Sequence, residues 1–357
     1  MNRSLFSSVF FCLLLGCMAC VPQEEIVEGI AVQEQFYLVH QGAQMPVLVE
    51  GNTESNTFIL IVHGGPGGNA MVYNDLLGSF SNPLEEKYAM VYWDQRGSGN
   101  SLGNYGVESV TVNQFVEDLD VLVDLLFARY GQDIQVFLLG HSWGGTLTAA
   151  YLSQAGNQDK IAGWIEVDGA HNFPLINETT PAELIRTGRE QIPAGNRVDE
   201  WTEIVDYCEN LTQPLSLAEI LQVNRYANVV ESYLIEAGIT TQSSLQLGEA
   251  VRFYFFSNHN FMTSFFNSSM TSRGLLEELV FNSYSEDMKE IRIPSLFLWG
   301  RHDLVVPPVL ADDAFHAIST PPADKSIYIF EDSGHSPMAQ QPEEFSLKLI
   351  QFVEKYR

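Results

Sequence analysis

Apolar positions along this chain follow two rhythms in alternation. Short saturated runs occur at Thr57–Val62, Tyr88–Trp93, Val136–Leu139, Ile161–Val167, Ser295–Trp299 and Ser326–Phe330. Each is four to eight residues long, rich in β-branched and aromatic residues and bounded by Gly, Asn or Asp, which predicts strands buried on both faces. Two more short strands, Gln35–His40 and Met45–Glu50, flank a Gln41-Gly42 turn. Helical spacing separates the runs. Val112, Phe115, Val116, Leu119, Leu122, Val123, Leu126 and Tyr130 form one apolar stripe, closed by Gly131. Gly145–Ser153, Val309–Ile318 and Pro342–Tyr356 read as further helices. Strands alternating with helices predict a largely parallel sheet covered on both faces. The strand rhythm stops near Asp168 and resumes at Ser295. The stretch between is helix-like, and the late strands are too few for a second core. The expected organisation is therefore an α/β core of residues 35–168 and 290–357, interrupted by a helical cap at 169–289.

The amino terminus changes the picture. Met1-Asn2-Arg3 is followed by an apolar stretch, Leu5–Leu15, that is too short to cross a bilayer. Residues 1–20 read as a lipoprotein-type signal peptide. Leu14-Leu15-Gly16-Cys17 resembles a bacterial lipoprotein cleavage box, with Cys20 as the second candidate for lipidation. Residues 21–34 would be a polar tether. These features predict a lipid-anchored protein of the cell envelope, on the periplasmic or outer-membrane face, with secretion as the alternative. Three of the four cysteines, Cys12, Cys17 and Cys20, lie in this leader. Cys208 is left as a buried small hydrophobe, so neither a disulfide nor a cysteine zinc site is expected in the body.

With 357 residues, the chain is long enough for one large domain with an insertion. Its formal net charge is −27, and loss of residues 1–16 removes only Arg3 among charged groups. Such a surface repels nucleic acid, so the expected partner is a small molecule or short peptide. Membrane contact is expected through the lipid anchor alone. Oligomeric state has no signal in the sequence.

The chemistry centres on Gly140-His141-Ser142-Trp143-Gly144-Gly145, directly after a strand and before a helix. G-x-S-x-G in that setting is a nucleophile elbow, the turn on which an α/β-hydrolase carries its serine. A serine needs a base to take its proton and a carboxylate to orient that base, in the chain order Ser, acid, His. Asp303 follows the strand Ser295–Trp299, and His335 follows the strand Ser326–Phe330. Both loops would open on the sheet edge that bears Ser142. We therefore expect Ser142 as nucleophile, Asp303 as orienting acid and His335 as base. Asp332 is an alternative acid. His302 breaks the chain order, and His63, His141 and His171 fit pocket or hydrogen-bonding roles better. Backbone N–H donors for an oxyanion are expected from Trp143 and from Gly65, with Gly64 as second choice. No cofactor is expected, because the glycine-rich loop lacks the Lys-Ser/Thr of a phosphate cradle. Halide or epoxide opening would require Asp in place of Ser142.

Taken together, His63-Gly64-Gly65-Pro66-Gly67, Asp94-Gln95-Arg96-Gly97-Ser98-Gly99-Asn100-Ser101, the Ser142 elbow, Gly300-Arg301-His302-Asp303 and Ser333-Gly334-His335-Ser336 resemble the proline iminopeptidase (prolyl aminopeptidase) family. The resemblance implies an α/β-hydrolase fold with a cap and a serine peptidase acting near the N-terminus of short peptides. It assigns the first loop an oxyanion donor and the Asp94–Ser101 loop a supporting role, with Arg96 packed and paired. In that family, acidic cap residues hold the substrate amine. The nearest counterpart of one such stretch begins at Arg252, which would repel an ammonium and attract a carboxylate. Glu249, Glu203 and Asp206 are alternative cap acids. His63, His141, Arg252 and Glu249 are accordingly expected to line the substrate pocket. Esterase or small-amide hydrolase activity is the alternative, and a non-catalytic binding lipoprotein is a third reading.

Overall fold

The computed structural model describes residues 32–242 and 261–357, except Leu77. The expected signal peptide, most of the tether, Glu249 and Arg252 lie outside the described residues. Strands β1 (Val32–His40), β2 (Ala43–Gly51), β3 (Thr57–Val62), β4 (Ala89–Trp93), β5 (Leu102–Gly103), β6 (Gln135–His141), β7 (Gly163–Val167), β8 (Ser295–Gly300) and β9 (Lys325–Phe330) form one sheet. Its order is β1-β2-β4-β3-β6-β7-β8-β9, with β5 paired to β2. The strands from β4 to β9 along this path run parallel, while β1 and β2 are antiparallel additions. The tether was expected to reach residue 34, but β1 starts at Val32 and pairs with Gly51. Gln33, Glu34 and Gln35 hid the strand because this edge faces solvent on one side.

Helices cover both faces, as the doubly apolar strands require. Phe58, Leu60 and Val62 of β3 pack on one side with Phe115 and Leu119, whereas Ile59 and Ile61 pack on the other with Phe80, Phe345 and Leu349. Each such side chain contributes about 1.5–3 kcal/mol on burial. These contacts come from α1 (Gly78–Glu85), α2 (Val112–Tyr130) and the C-terminal helix Pro342–Tyr356. The side chain of Thr111 caps α2 by accepting from Gln114 N, and Gly131 ends it. The apolar stripe read from sequence is its buried face, except that Tyr130 is only half-buried and Asp118 is added.

Between β7 and β8 the described residues hold α4 (Phe173–Ala194), α5 (Val198–Glu209), α6 (Leu217–Glu236) and α7 (Phe261–Leu279). They follow α3 (Trp143–Leu152) and precede α8 (Val309–Ala317), the short α9 (Pro337–Gln340) and α10 (Pro342–Tyr356). The two chain crossings between core and helical block meet each other. Asn172 and Ser283 form a β-bridge, and Tyr284 N donates to His171 O.

Candidate active site

The elbow forms where β6 leaves the middle of the sheet. Ser142 has φ 55° and ψ −118°, a left-handed backbone that a serine adopts only when its surroundings enforce it. Those surroundings are backbone bonds: Ser142 N donates to Val167 O, while Ser142 O accepts from Gly145 N and Ala170 N. Gly144 is required by close approach, since a Cβ there would overlap the carbonyl oxygen of Val62.

The three residues selected from sequence are brought together. His335 Nε2 lies 3.0 Å from Ser142 Oγ, and His335 Nδ1 lies 2.8 Å from Asp303 Oδ2. Asp303 is fully buried at the C-terminal end of β8, and its Oδ1 accepts from the N–H groups of Val305 and Val306 at 2.8 Å. With Nδ1–H donated to Asp303, Nε2 is left to accept from the serine hydroxyl. Burial alone would lower the His335 pKa. The Asp303 charge, its hydrogen bond and the charge of Glu231 outweigh that and raise it. Asp332 is exposed, and His302 faces Arg186, Arg301 and Asp332, so neither enters this chain of bonds.

The two family-like loops form one unit. Asp94 accepts from Ala70 N and Asn100 N at 2.8 Å each, and Gly99 N donates to Gly68 O. Gln95 donates to His63 O and accepts from the Trp143 indole at 2.8 Å, tying both loops to the elbow. Arg96 is fully buried and makes two 2.8 Å bonds to Asp118, in the expected packed and paired role. Gly65 has φ +134°, where a side chain is strained, and lines the cavity with Gly64, Ser142 and Trp143. Gly64 N donates to the Tyr73 hydroxyl. That bond occupies the Gly64 N–H, which agrees with the expectation of Gly65 before Gly64 as an oxyanion donor.

His63 does not reach the cavity, contrary to expectation. It is fully buried, with Nδ1 on Gly64 O and Nε2 near Gln95 N, and burial drives its pKa down to about 4. His141 does line the cavity. Its Nε2 faces the carbonyl of His335 at 2.9 Å and therefore donates, so Nδ1 accepts from the Tyr73 hydroxyl at 2.6 Å. Burial, then the neighbouring His335, lowers its pKa to about 3, which keeps it neutral. Tyr73 and His141 thus clamp the oxyanion loop to the base loop. Nothing in the sequence marked Tyr73, which sits in the single π-helical turn Val72–Leu76.

Two further carboxyls surround the site. Glu231 of α6 accepts from His335 N at 3.2 Å, so the helical block holds the base loop directly. Asp168 is fully buried at the end of β7 and accepts from Gly300 N at 2.9 Å. Asp168 was visible only as a strand end, and Glu231 only as one of many helix acids. His141, Asp168 and His335 offer ligand atoms within 4.8 Å of one another. Both ring nitrogens of each histidine are already committed, so this donor set fits proton handling better than a metal.

Over the site lies a cavity of about 660 Å³, roofed by Phe173, Ile176, Ile220, Val223, Asn224, Asn228, Leu276 and Leu279 of the helical block. Among the described lining residues none is Asp, Glu, Lys or Arg. Glu203 and Asp206, weighed as amine-binding acids, are exposed on α5 and do not line it.

Residues 57–342 match the family model described as alpha/beta hydrolase fold. The chain belongs to that family. Among curated relatives, it is 27% identical over 333 residues to the probable aminopeptidase YbaC of Bacillus subtilis, covering 91% of this chain and 96% of that protein. A proline iminopeptidase of Heyndrickxia coagulans is 25% identical over 301 residues, covering 83% of this chain and 90% of its own. Among solved structures, VinJ superposes with a TM-score of 0.64 at 19% identity, over 91% of this chain and 99% of that one, a likeness of fold. This α/β hydrolase thus has aminopeptidase-named relatives over nearly its whole length, in keeping with the resemblance its motifs carry.

Proposed function

We propose that the chain is a serine hydrolase working through an acyl-enzyme, with short peptides cleaved near their N-terminus as the leading substrate class. The carrying observation is the continuous path from Ser142 Oγ to His335 to Asp303, at 3.0 and 2.8 Å. Ser142 Oγ attacks the substrate carbonyl carbon as its proton passes to His335 Nε2. The carbonyl oxygen becomes an oxyanion facing the N–H groups of Gly65 and Trp143. Collapse of the tetrahedral species breaks the bond to the leaving amine or alcohol, which takes the proton from His335. Water then repeats the sequence on the ester and frees Ser142. Similarity to YbaC and to proline iminopeptidases supports the peptidase assignment.

A second reading, an esterase or small-amide hydrolase, is favoured by the uncharged lining among the described residues, which provides no carboxylate partner for a substrate ammonium. A fluorophosphonate probe tests the shared chemistry. Labelling of the wild type and none of Ser142→Ala is expected; equal labelling of both would overturn Ser142 as the nucleophile, and no labelling of the wild type would favour a binding protein. A panel of aminoacyl-arylamides against short acyl esters separates the substrate classes. Ester turnover without arylamide turnover would reject the peptidase assignment.

A further inference from the structure

Five non-glycine residues among those described have positive φ: Gln41, Asn56, Ser142, Asp168 and Arg197. Gln41, Asn56 and Arg197 are exposed at turns and helix ends. The other two belong to the site. Ser142 is the elbow, and Asp168, with φ 44°, is fully buried one strand away. A strained backbone at a buried acid is held against a cost of about 1–3 kcal/mol and calls for a role.

The carboxyl of Asp168 is half satisfied. Oδ1 accepts from Gly300 N, whereas Oδ2 is buried without a donor. What it meets is the carboxylate of Asp303, another acceptor. The other titratable groups around it are Glu231, Tyr73, His141 and His335, and an Asp168 oxygen lies within 4.8 Å of a ring nitrogen of each histidine. Two buried carboxyls in contact share one proton, because both charges cannot be held without solvent. Which one keeps the charge follows from the donors. Asp303 accepts from His335 Nδ1 and from the N–H groups of Val305 and Val306, but Asp168 accepts only from Gly300 N. The charge therefore rests on Asp303 and the proton on Asp168. Burial, then the charge of Asp303, moves the Asp168 pKa in the same direction, well upward.

We propose that Asp168 is a second acid of this site, a positioning residue that shares one negative charge with Asp303 and supports the His335 imidazole when Asp303 is removed. This rests on the serine-hydrolase reading. Removing Asp303 leaves Asp168, with an oxygen within 4.8 Å of an imidazole nitrogen of His335, free to release its proton and carry the charge itself.

The test is the rate of Ser142 labelling by a fluorophosphonate, followed against pH in the full chain. Removal of the orienting acid from a Ser-His-Asp site costs about 10⁴-fold. Here Asp303→Asn is expected to lose only about 10–100-fold and to keep a rise of rate with pH. Asp168→Asn is expected to cost less than about tenfold alone, and about 100-fold or more when added to Asp303→Asn, abolishing that pH-dependent rise. A merely structural Asp168 would cost the same factor in both backgrounds and leave the pH profile of Asp303→Asn in place, and either result overturns the proposal. So does Asp303→Asn reacting as slowly as the double variant. Should the double variant fail to fold by circular dichroism, Asp168→Ser with Asp303→Asn gives the same comparison. Absence of labelling in the wild type would instead overturn the serine mechanism itself.

Discussion

His171 offers a quantitative test of what holds the helical block to the core. It stands just after β7, where the chain leaves the sheet, and is fully buried. Its Nδ1 is 2.8 Å from Glu166 Oε1, and its Nε2 is 3.1 Å from Asp313 Oδ2 on α8. With a carboxylate at each nitrogen, both must donate, which requires the imidazolium. Burial opposes that charge, but Glu166 and Asp313 outweigh it and raise the pKa from 6.5 to about 9. Burial would likewise raise Asp313, yet bonds from His171, Ser285 and Asn172 bring it down to about 2, so it stays ionised throughout the range considered. A histidine raised on folding adds stability that is complete below its unfolded value and fades as pH climbs through the folded one. The shift corresponds to about 3 kcal/mol, or about 5 °C in melting temperature for a chain of this size. Thermal unfolding of the wild type and His171→Gln should therefore be compared at intervals from pH 6 to pH 10. The wild-type advantage is expected to be largest near pH 6 and to shrink by about 3 kcal/mol by pH 10. An advantage that stays constant across that range would refute the imidazolium assignment.

Two further outcomes follow from the same reasoning. Arg96→Met leaves the fully buried Asp118 without its two guanidinium bonds and is expected to destabilise by about 3–5 kcal/mol, with much of the loss recovered in Arg96→Met/Asp118→Leu; denaturant titration reads both. In the proposed mechanism His335 must be neutral to act, and its pKa is raised above 6.5, so kcat/KM should fall on the acid side with an apparent pKa above that value. Glu231→Gln removes one of the raising charges and should move this limb to lower pH, while an unmoved limb would show that Glu231 carries no charge there.

Much of the fold was legible in sequence because its signals are local. β3 is a saturated apolar run with no polar face to misread, and α2 shows its stripe and its closing Gly131, so both were found with their observed limits. β1 was cut short because polar residues on an edge strand resemble a tether, and α1 was missed because Pro83 lies inside it. The triad was legible for a related reason. In a parallel sheet all strand C-termini open on one edge, so chemistry-bearing residues after successive strands are neighbours whatever their separation in sequence. The sequence by itself thus determined the α/β architecture and the placement of Ser142, Asp303 and His335 on one sheet edge. Tertiary structure alone decided the rest. It turned His63 away from the cavity, joined Tyr73 to His141, brought Glu231 of the helical block onto the His335 loop, and pressed Asp168 against Asp303. Burial and the direction of a side chain between distant segments set those relations, and neither leaves a periodic trace in the chain.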